Sequence, residues 1–118
     1  MIVNADKTRI TQVIFNLLSN AIKFSPENGG LVSVSSEIKS DNRKGGQAIV
    51  SVIDNGPGID SDFFPKLFSR FTSNSFSGTG LGLFVSKNII MVHGGEIWGQ
   101  NNRDERGVTF SFSLPLKE

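Results

Sequence analysis

The feature that most constrains the fold of this chain is a carboxylate that stands at the end of an apolar run and is followed by two glycines. Residues 47–53 are rich in Val and Ile, which is typical of a β-strand, and Asp54 follows them directly. Gly56 and Gly58 allow the backbone to turn sharply and to approach a neighbour closely, and Pro57 stiffens the turn between them. The pattern predicts a strand that ends with a carboxylate at the edge or the end of a sheet. Taken alone, it fits both a ligand pocket and an ordinary strand that ends in an Asn-Gly turn.

An amphipathic helix is predicted before this strand, between residues 6 and 24. Its apolar residues recur at the i, i+3, i+4, i+7 spacing of a helix with one buried face. They are Ile10, Val13, Ile14, Leu17, Leu18, Ala21 and Ile22. Asp6 is the predicted N-cap, and Ser25 with Pro26 is the predicted stop.

A row of polar residues runs beside the apolar face of this helix. Gln12, Asn16, Asn20 and Lys23 recur every three or four residues and therefore line up along the axis. A solvated face is the simpler interpretation, but such faces favour Glu, Lys and Arg, and Asn is a poor helix former. The two asparagines therefore need a further explanation.

Two antiparallel hairpins are predicted from alternating apolar and polar residues. Residues 31–39 have the pattern of a half-buried strand and are expected to pair with residues 47–53. Residues 96–100 and 108–114 are expected to form a terminal hairpin with one solvent-exposed face. A short helix is expected from about residue 60 to residue 68.

A glycine-rich loop opens a second apolar helix. Gly78, Gly80 and Gly82 stand before it, and the free N–H groups and dipole of such a helix start favour phosphate. No apolar strand precedes the glycines, which argues against a dinucleotide-binding motif, and Leu83 stands where a P-loop needs a polar residue. A phosphate-covering loop of another type remains. The Ser-rich residues 69–77 before it are predicted to form a mobile lid.

Composition excludes several classes of function. Twelve Lys and Arg against eleven Asp and Glu give a net charge of +1, which provides no electrostatic surface for nucleic acid or an anionic membrane. No apolar run approaches the ~20 residues of a membrane span, and the absence of cysteine excludes disulfides, thiol catalysis and zinc-cysteine sites. The single histidine, His93, precedes two glycines at a helix end and is expected to be structural rather than a metal ligand or phosphoacceptor.

Four segments in order resemble the N, G1, F and G2 boxes of the ATP-binding catalytic domain of sensor histidine kinases. They are residues 12–24, 54–59, 67–71 and 78–83. The resemblance covers nearly the whole chain. It implies the Bergerat fold, an α/β (α+β) two-layer sandwich in which a mixed, mostly antiparallel sheet carries helices on one face. It also implies one domain over residues 1–118, a catalytic fragment without the phosphoacceptor hairpin.

The resemblance further implies the roles of individual residues. Asp54 would accept the adenine amino group with Thr109 supporting it through water, and Phe24 and Ile59 would flank the base. The metal and phosphate residues would be Asn20 as the Mg²⁺ ligand, Asn16 beside it and Lys23 reaching a phosphate. The remaining nucleotide-binding residues would be Gly56, Gly58, Arg70, Gly78, Thr79, Gly80, Leu81, Gly82 and Leu83. The family commonly has an Arg where this chain has Ser73, so phosphate neutralisation would rest on Lys23 and Arg70.

The implied function is that of a histidine protein kinase. The chain would bind Mg-ATP and donate the γ-phosphoryl group to a histidine on a separate dimerisation domain, upstream of a response regulator, and alone it would lack autophosphorylation. The fragment is expected to be monomeric, cytoplasmic and not inserted in a membrane, within a homodimeric full-length kinase that is either soluble or membrane-anchored. No nucleic acid partner is expected.

Two other classes of function compete with this interpretation. ATP-hydrolysing clamp proteins share the fold, but they place a Glu one helical turn before the metal-binding Asn as general base. Asn16 stands there and cannot accept a proton, which favours phosphoryl transfer over hydrolysis. A non-catalytic interaction domain is the third class, and the intact Asp54, Asn20 and loop glycines argue against it.

Overall fold

A computed structural model describes residues 2–41, 45–69, 82–103 and 106–117 of the chain. Its helices and strands are, in order, α1 (Lys7–Phe24), β1 (Val32–Asp41), β2 (Gly45–Asp54), a 3-10 helix (Ser61–Lys66), α2 (Gly82–Val92), β3 (Ile97–Asn101) and β4 (Val108–Pro115). The strands form one sheet in the order β1-β2-β4-β3, and each neighbouring pair is antiparallel. Helices α1 and α2 pack together on one face of this sheet. The predicted two-layer sandwich is confirmed, with only antiparallel pairs among the described strands.

Helix α1 begins and ends where the sequence predicts. The side chain of Asp6 accepts a hydrogen bond from the backbone N–H of Arg9 at 3.2 Å, and Ser25 leaves the helix in an extended conformation. The buried face consists of Val13, Leu17 and Ala21. Ile22, predicted to share that face, is 66% exposed. At ~100° per residue it lies well around the helix from Val13 and Leu17, on the side that turns away from the sheet.

The core lies between the two helices and the central strands. Its fully buried side chains include Leu17 of α1, Leu83 and Ile90 of α2, and Phe112 of β4. Burial of each such side chain contributes about 1.5–3 kcal/mol to stability. Leu67, just after the 3-10 helix, joins the same core, so the turn that follows Asp54 is anchored to it.

Both predicted hairpins form, but the burial of two strands differs from the prediction. Strand β1 lies at the edge of the sheet, and its apolar Val34 and Ile38 are 53% and 54% exposed. Strand β4 is central, and its Ser111 and Ser113 are buried, so the predicted solvent-exposed face is wrong. These serines are satisfied by the hydroxyl of Ser51 at 2.8 Å and by the backbone N–H of Glu96 at 3.1 Å. Local alternation does not reveal which strand occupies the centre of a sheet.

Helix α2 ends in a Schellman motif whose residues match the sequence. Gly94 adopts φ +82°, and the N–H groups of Gly95 and Gly94 donate to the carbonyls of Ile90 and Met91, each at 3.0 Å. His93 has a structural role, as predicted. Its Nε2 accepts the N–H of Asp6 at 3.0 Å and its Nδ1 lies 2.8 Å from the carbonyl of Ile89, so the ring ties the end of α2 to the start of α1.

Candidate functional site

A largely apolar cavity lies where the end of α1 meets the ends of the central strands. The space between its lining atoms is about 420 Å³, part of it open to solvent. Its lining residues are Asn20, Phe24, Asp54, Pro57, Gly58, Ile59, Leu67, Leu83, Val108 and Phe110. The turn after β2 therefore forms one wall of a pocket, and the ordinary-turn interpretation of residues 54–59 is insufficient.

Asp54 is the one buried carboxylate among the described residues, with 6% of its surface exposed. Its Oδ1 accepts two backbone hydrogen bonds, from Gly56 at 2.9 Å and from Val108 at 3.2 Å. Its Oδ2 has no donor within the described ranges. A buried carboxylate oxygen without a donor is costly, and it can be satisfied by an N–H group of a ligand in the cavity. Gly56 permits this arrangement, because a Cβ there would overlap the carbonyl oxygen of Phe24.

The polar row of α1 divides at the cavity. Asn20 lines it, and within the described part of the chain its side-chain amide forms no hydrogen bond. Lys23 is exposed near the same helix end, with Nζ 5.5 Å from the centroid of the Phe24 ring. Gln12 lies nearer the start of the helix, where its Oε1 accepts a hydrogen bond from the guanidinium of Arg9. Of the polar row, Asn20 therefore lines the cavity, together with the apolar Phe24 one turn later, while the row as a whole does not.

Asn16 contacts the second helix. Its Nδ2 lies 3.3 Å from the carbonyl oxygen of Gly82 and 3.1 Å from the hydroxyl of Ser86. The start of α2 is thereby attached to α1 one turn before Asn20, and Leu83 reaches the cavity.

Thr109 is not brought to the cavity. It shares a face of the sheet with Ile53, its partner in register, whereas Asp54 lies on the other face. Its hydroxyl donates to Oδ1 of Asn102 at 2.6 Å. Val108, the preceding residue, lines the cavity instead.

Several other predicted residues lie outside the described residues: Arg70, Ser73, Gly78, Thr79, Gly80 and Leu81, together with nearly all of the predicted lid. Among the residues that are described, no three His, Cys, Asp or Glu side chains form a metal-binding group. Mg²⁺ needs few protein ligands when phosphates and water complete its shell, and the amide oxygen of Asn20 is a ligand of the right type. The residues present therefore fit Mg²⁺ bound together with a phosphate ligand. No helix in the described ranges has the length and apolar character needed to cross a membrane.

Three asparagines that the sequence analysis did not single out surround the cavity. Asn55 bonds the backbone of Gly29 and Leu31, both at 2.9 Å, and so fixes the turn before β1. Asn101 and Asn102, at the end of β3, bond the backbone of Ile59 and Asp54. The signal for Asn101 and Asn102 was that they are consecutive asparagines at a strand end, since Asn is favoured where its side chain bonds backbone groups.

Comparison with known proteins matches residues 5–118 to the family of histidine kinase-, DNA gyrase B- and HSP90-like ATPases. The sensor histidine kinase WalK of Bacillus subtilis is 39% identical over 122 residues, an alignment that covers 98% of this chain and 19% of WalK. The chain thus spans less than a fifth of the length of that relative.

Solved structures give the same result. The catalytic domain of histidine kinase ThkA, in a nucleotide-free form, superposes with a TM-score of 0.79 at 42% identity, covering 96% of this chain and 70% of that one. The mycobacterial sensor histidine kinase MprB superposes with a TM-score of 0.80 at 31% identity, covering 96% and 74%. The chain therefore belongs to the family of histidine kinase-, DNA gyrase B- and HSP90-like ATPases, and within that family its similar relatives are sensor histidine kinases.

Proposed function

We propose that residues 1–118 form one catalytic domain that binds Mg-ATP and donates the γ-phosphoryl group to a histidine on a separate domain of a sensor kinase. The observation that carries this proposal is the Asp54 carboxylate. It is buried at the base of the cavity with Oδ1 held by two backbone N–H groups and Oδ2 available to a ligand.

The base of the nucleotide is read by Asp54. Its Oδ2 accepts a hydrogen bond from the exocyclic amino group of adenine, and the apolar walls formed by Phe24, Ile59 and Val108 cover the ring. Guanine presents a carbonyl oxygen at that position, and two acceptors would then face each other in a buried site. Gly56 and Gly58 keep this side of the cavity free of side chains. Thr109 contributes indirectly, through Asn102.

Residues at the end of α1 and around the start of α2 would hold the metal and the phosphates. The amide oxygen of Asn20 would serve as a Mg²⁺ ligand. This role accounts for a side-chain amide that forms no hydrogen bond within the described residues. Lys23 and Arg70 neutralise phosphate charge. In the sequence, the glycine loop of Gly78, Thr79, Gly80, Leu81 and Gly82 leads into α2, and it would supply backbone N–H groups to the phosphates. When bound, Mg²⁺ neutralises charge on the phosphates and orients them for in-line displacement.

Transfer to a histidine is favoured over hydrolysis by the chemistry at position 16. The Nδ2 of Asn16 donates to α2, and an amide cannot take a proton from water. In the proposed reaction a ring nitrogen of the acceptor histidine forms a bond to the γ-phosphorus, the bond to the β,γ-bridging oxygen breaks, ADP leaves, and the ring proton passes to solvent. Positioning of the acceptor supplies most of the rate.

The proposed partners follow from this chemistry. The acceptor is a helical-hairpin dimerisation domain of the same full-length kinase, and a response regulator receives the phosphoryl group afterwards. We propose that this domain is cytoplasmic and monomeric in isolation, and that the full-length kinase, either soluble or membrane-anchored, is a homodimer. No nucleic acid partner is proposed, in keeping with a net charge of +1.

Isothermal titration calorimetry of the chain with ATP, in the presence and absence of Mg²⁺, tests this proposal. We expect saturable binding of one ATP that is tighter with Mg²⁺. Absence of binding would support a non-catalytic interaction domain that has lost the ability to bind nucleotide. ATP binding accompanied by rapid steady-state release of phosphate would support a clamp-type ATPase instead.

A further inference from the structure

The two asparagines at the end of β3 hold the backbone of two residues that line the cavity, Asp54 and Ile59. We infer that Asn102 is a positioning residue that sets the location of Asp54 for base discrimination, and that Asn101 is a positioning residue for the Ile59 wall. This inference rests on the proposed function and extends it to residues outside the cavity lining.

Asn102 uses every polar atom of its side chain on protein partners. Its Nδ2 donates to the carbonyl of Asp54 at 2.8 Å and to the carbonyl of Arg106 at 3.2 Å, and its Oδ1 accepts the hydroxyl of Thr109 at 2.6 Å. Two carbonyls can only accept, so the orientation of the amide is fixed by its surroundings. Asn102 therefore joins the end of β2, the loop before β4, and β4 itself.

The same loop presses directly against Asp54. Gly107 adopts φ +113°, and a Cβ there would overlap the carbonyl oxygen of Asp54. The next residue, Val108, supplies one of the two N–H groups that hold Oδ1. Asn102 thus ties the backbone of Asp54 to the loop before β4, and Val108 at the end of that loop holds the Asp54 carboxylate. Loss of the Asn102 amide would free both the backbone and the carboxylate of Asp54. Oδ2 of Asp54 would then move relative to the base.

Asn101 makes a separate contact, with Ile59 in the turn that follows Asp54. Its Oδ1 accepts the N–H of Ile59 at 2.9 Å and its Nδ2 donates to the carbonyl of Ile59 at 2.7 Å. Both ends of one amide therefore bind both backbone groups of one residue, which also fixes its orientation. Ile59 provides apolar contact that does not depend on the identity of the base. The two neighbouring asparagines should consequently differ in their effect on nucleotide selectivity.

The experiment compares ATP with inosine triphosphate, which has a carbonyl oxygen in place of the amino group. Calorimetry of the full chain with each nucleotide gives the ATP-to-inosine-triphosphate affinity ratio. For Asn102→Ala we expect ATP affinity to fall about tenfold and inosine triphosphate affinity to change less than about twofold, so that the ratio collapses. For Asn101→Ala we expect both affinities to fall together by about fivefold, with the ratio retained.

Two further variants separate positioning from a general effect on folding. Asn102→Asp keeps the size and the acceptor for Thr109 but places an oxygen against two carbonyls, so it should lose the ratio as Asn102→Ala does. Thr109→Val retains the shape and β propensity, removes the hydroxyl that anchors Asn102, and should lower the ratio about threefold. Asn88→Ala, on the exposed side of α2, is the matched control and should leave both affinities unchanged.

The outcomes distinguish this inference from the proposed function. Equal loss of ATP and inosine triphosphate affinity in Asn102→Ala, or a native ratio in Asn102→Asp and Thr109→Val, would overturn the inference while ATP binding by the native chain still stood. Failure of the native chain to bind ATP would overturn both.

Discussion

The amide of Asn16 on α1 donates to the hydroxyl of Ser86 on α2 across 3.1 Å, and Ser86 is completely buried. The same amide lies 3.3 Å from the carbonyl oxygen of Gly82, the first residue of α2. The helix that carries Asn20 is thereby fixed to the start of the helix proposed to receive the phosphates. Asn16 therefore contributes to the packing of α1 against α2.

Replacement of Asn16 by Ala should therefore destabilise the ligand-free protein. It removes two hydrogen bonds and leaves a buried hydroxyl and a carbonyl without this partner, at a cost of about 1–3 kcal/mol in the free energy of unfolding. Urea unfolding without nucleotide measures this, with Asn88→Ala as the control on the exposed side of α2. Unchanged stability of the Asn16→Ala protein would contradict the contact between the helices.

The proposed metal role of Asn20 predicts a different behaviour. Because its amide has no partner within the described residues, Asn20→Ala should leave stability within ~0.5 kcal/mol of the native value. It should weaken binding of Mg-ATP far more than binding of metal-free ATP, as measured by calorimetry with and without a chelator. An equal loss under both conditions would show that Asn20 does not act through the metal.

Asp54→Asn should remove most of the affinity for ATP. The amide presents a donor as well as an acceptor and loses a charge-assisted hydrogen bond, which corresponds to about 1.5–3 kcal/mol. The native chain should bind GTP poorly for the complementary reason. Calorimetry with ATP and GTP checks both expectations, and equal affinities of the native chain for the two nucleotides would rule out base recognition by Asp54.

The end of α2 gives a prediction about stability alone. A Cβ at Gly95 would overlap the carbonyl oxygen of Ser113 in the central strand β4. We expect Gly95→Ala to lower the free energy of unfolding by about 3 kcal/mol or more, because backbone must move on both sides. Gly29→Ala is the control, since Gly29 has φ +75° but open space around it, and strain alone costs ~1–2 kcal/mol. Similar losses for the two variants would argue against close packing at Gly95.

Elements with local signals could be predicted from the sequence. Such signals come from residues that are neighbours in the chain. They predicted helix α1, its cap at Asp6 and the two hairpins, and all of these form. The position of Asp54 at the end of β2 was predicted for the same reason, because the strand and the turn that follows it are local.

Features that depend on strand order and distant contacts could not be predicted. The exposure of Val34 and the burial of Ser111 follow from which strand is at the edge and which is central. Asn101 and Asn102 bond residues 42 and 48 positions away, and no spacing rule connects such pairs. The face of the sheet on which the Thr109 side chain lies depends on the strand register, because a shift of one residue moves a side chain to the other face.

The measurement that tests the central claim most directly is phosphoryl transfer from γ-labelled ATP. The chain is incubated with Mg²⁺ and labelled ATP, alone and together with the acceptor hairpin of the full-length kinase. We predict no label on the chain alone and no appreciable phosphate release. With the hairpin we predict acid-labile label on the acceptor histidine, accumulating slowly because the two parts are not tethered. Label on His93 of the chain alone, or rapid phosphate release without the hairpin, would contradict the account.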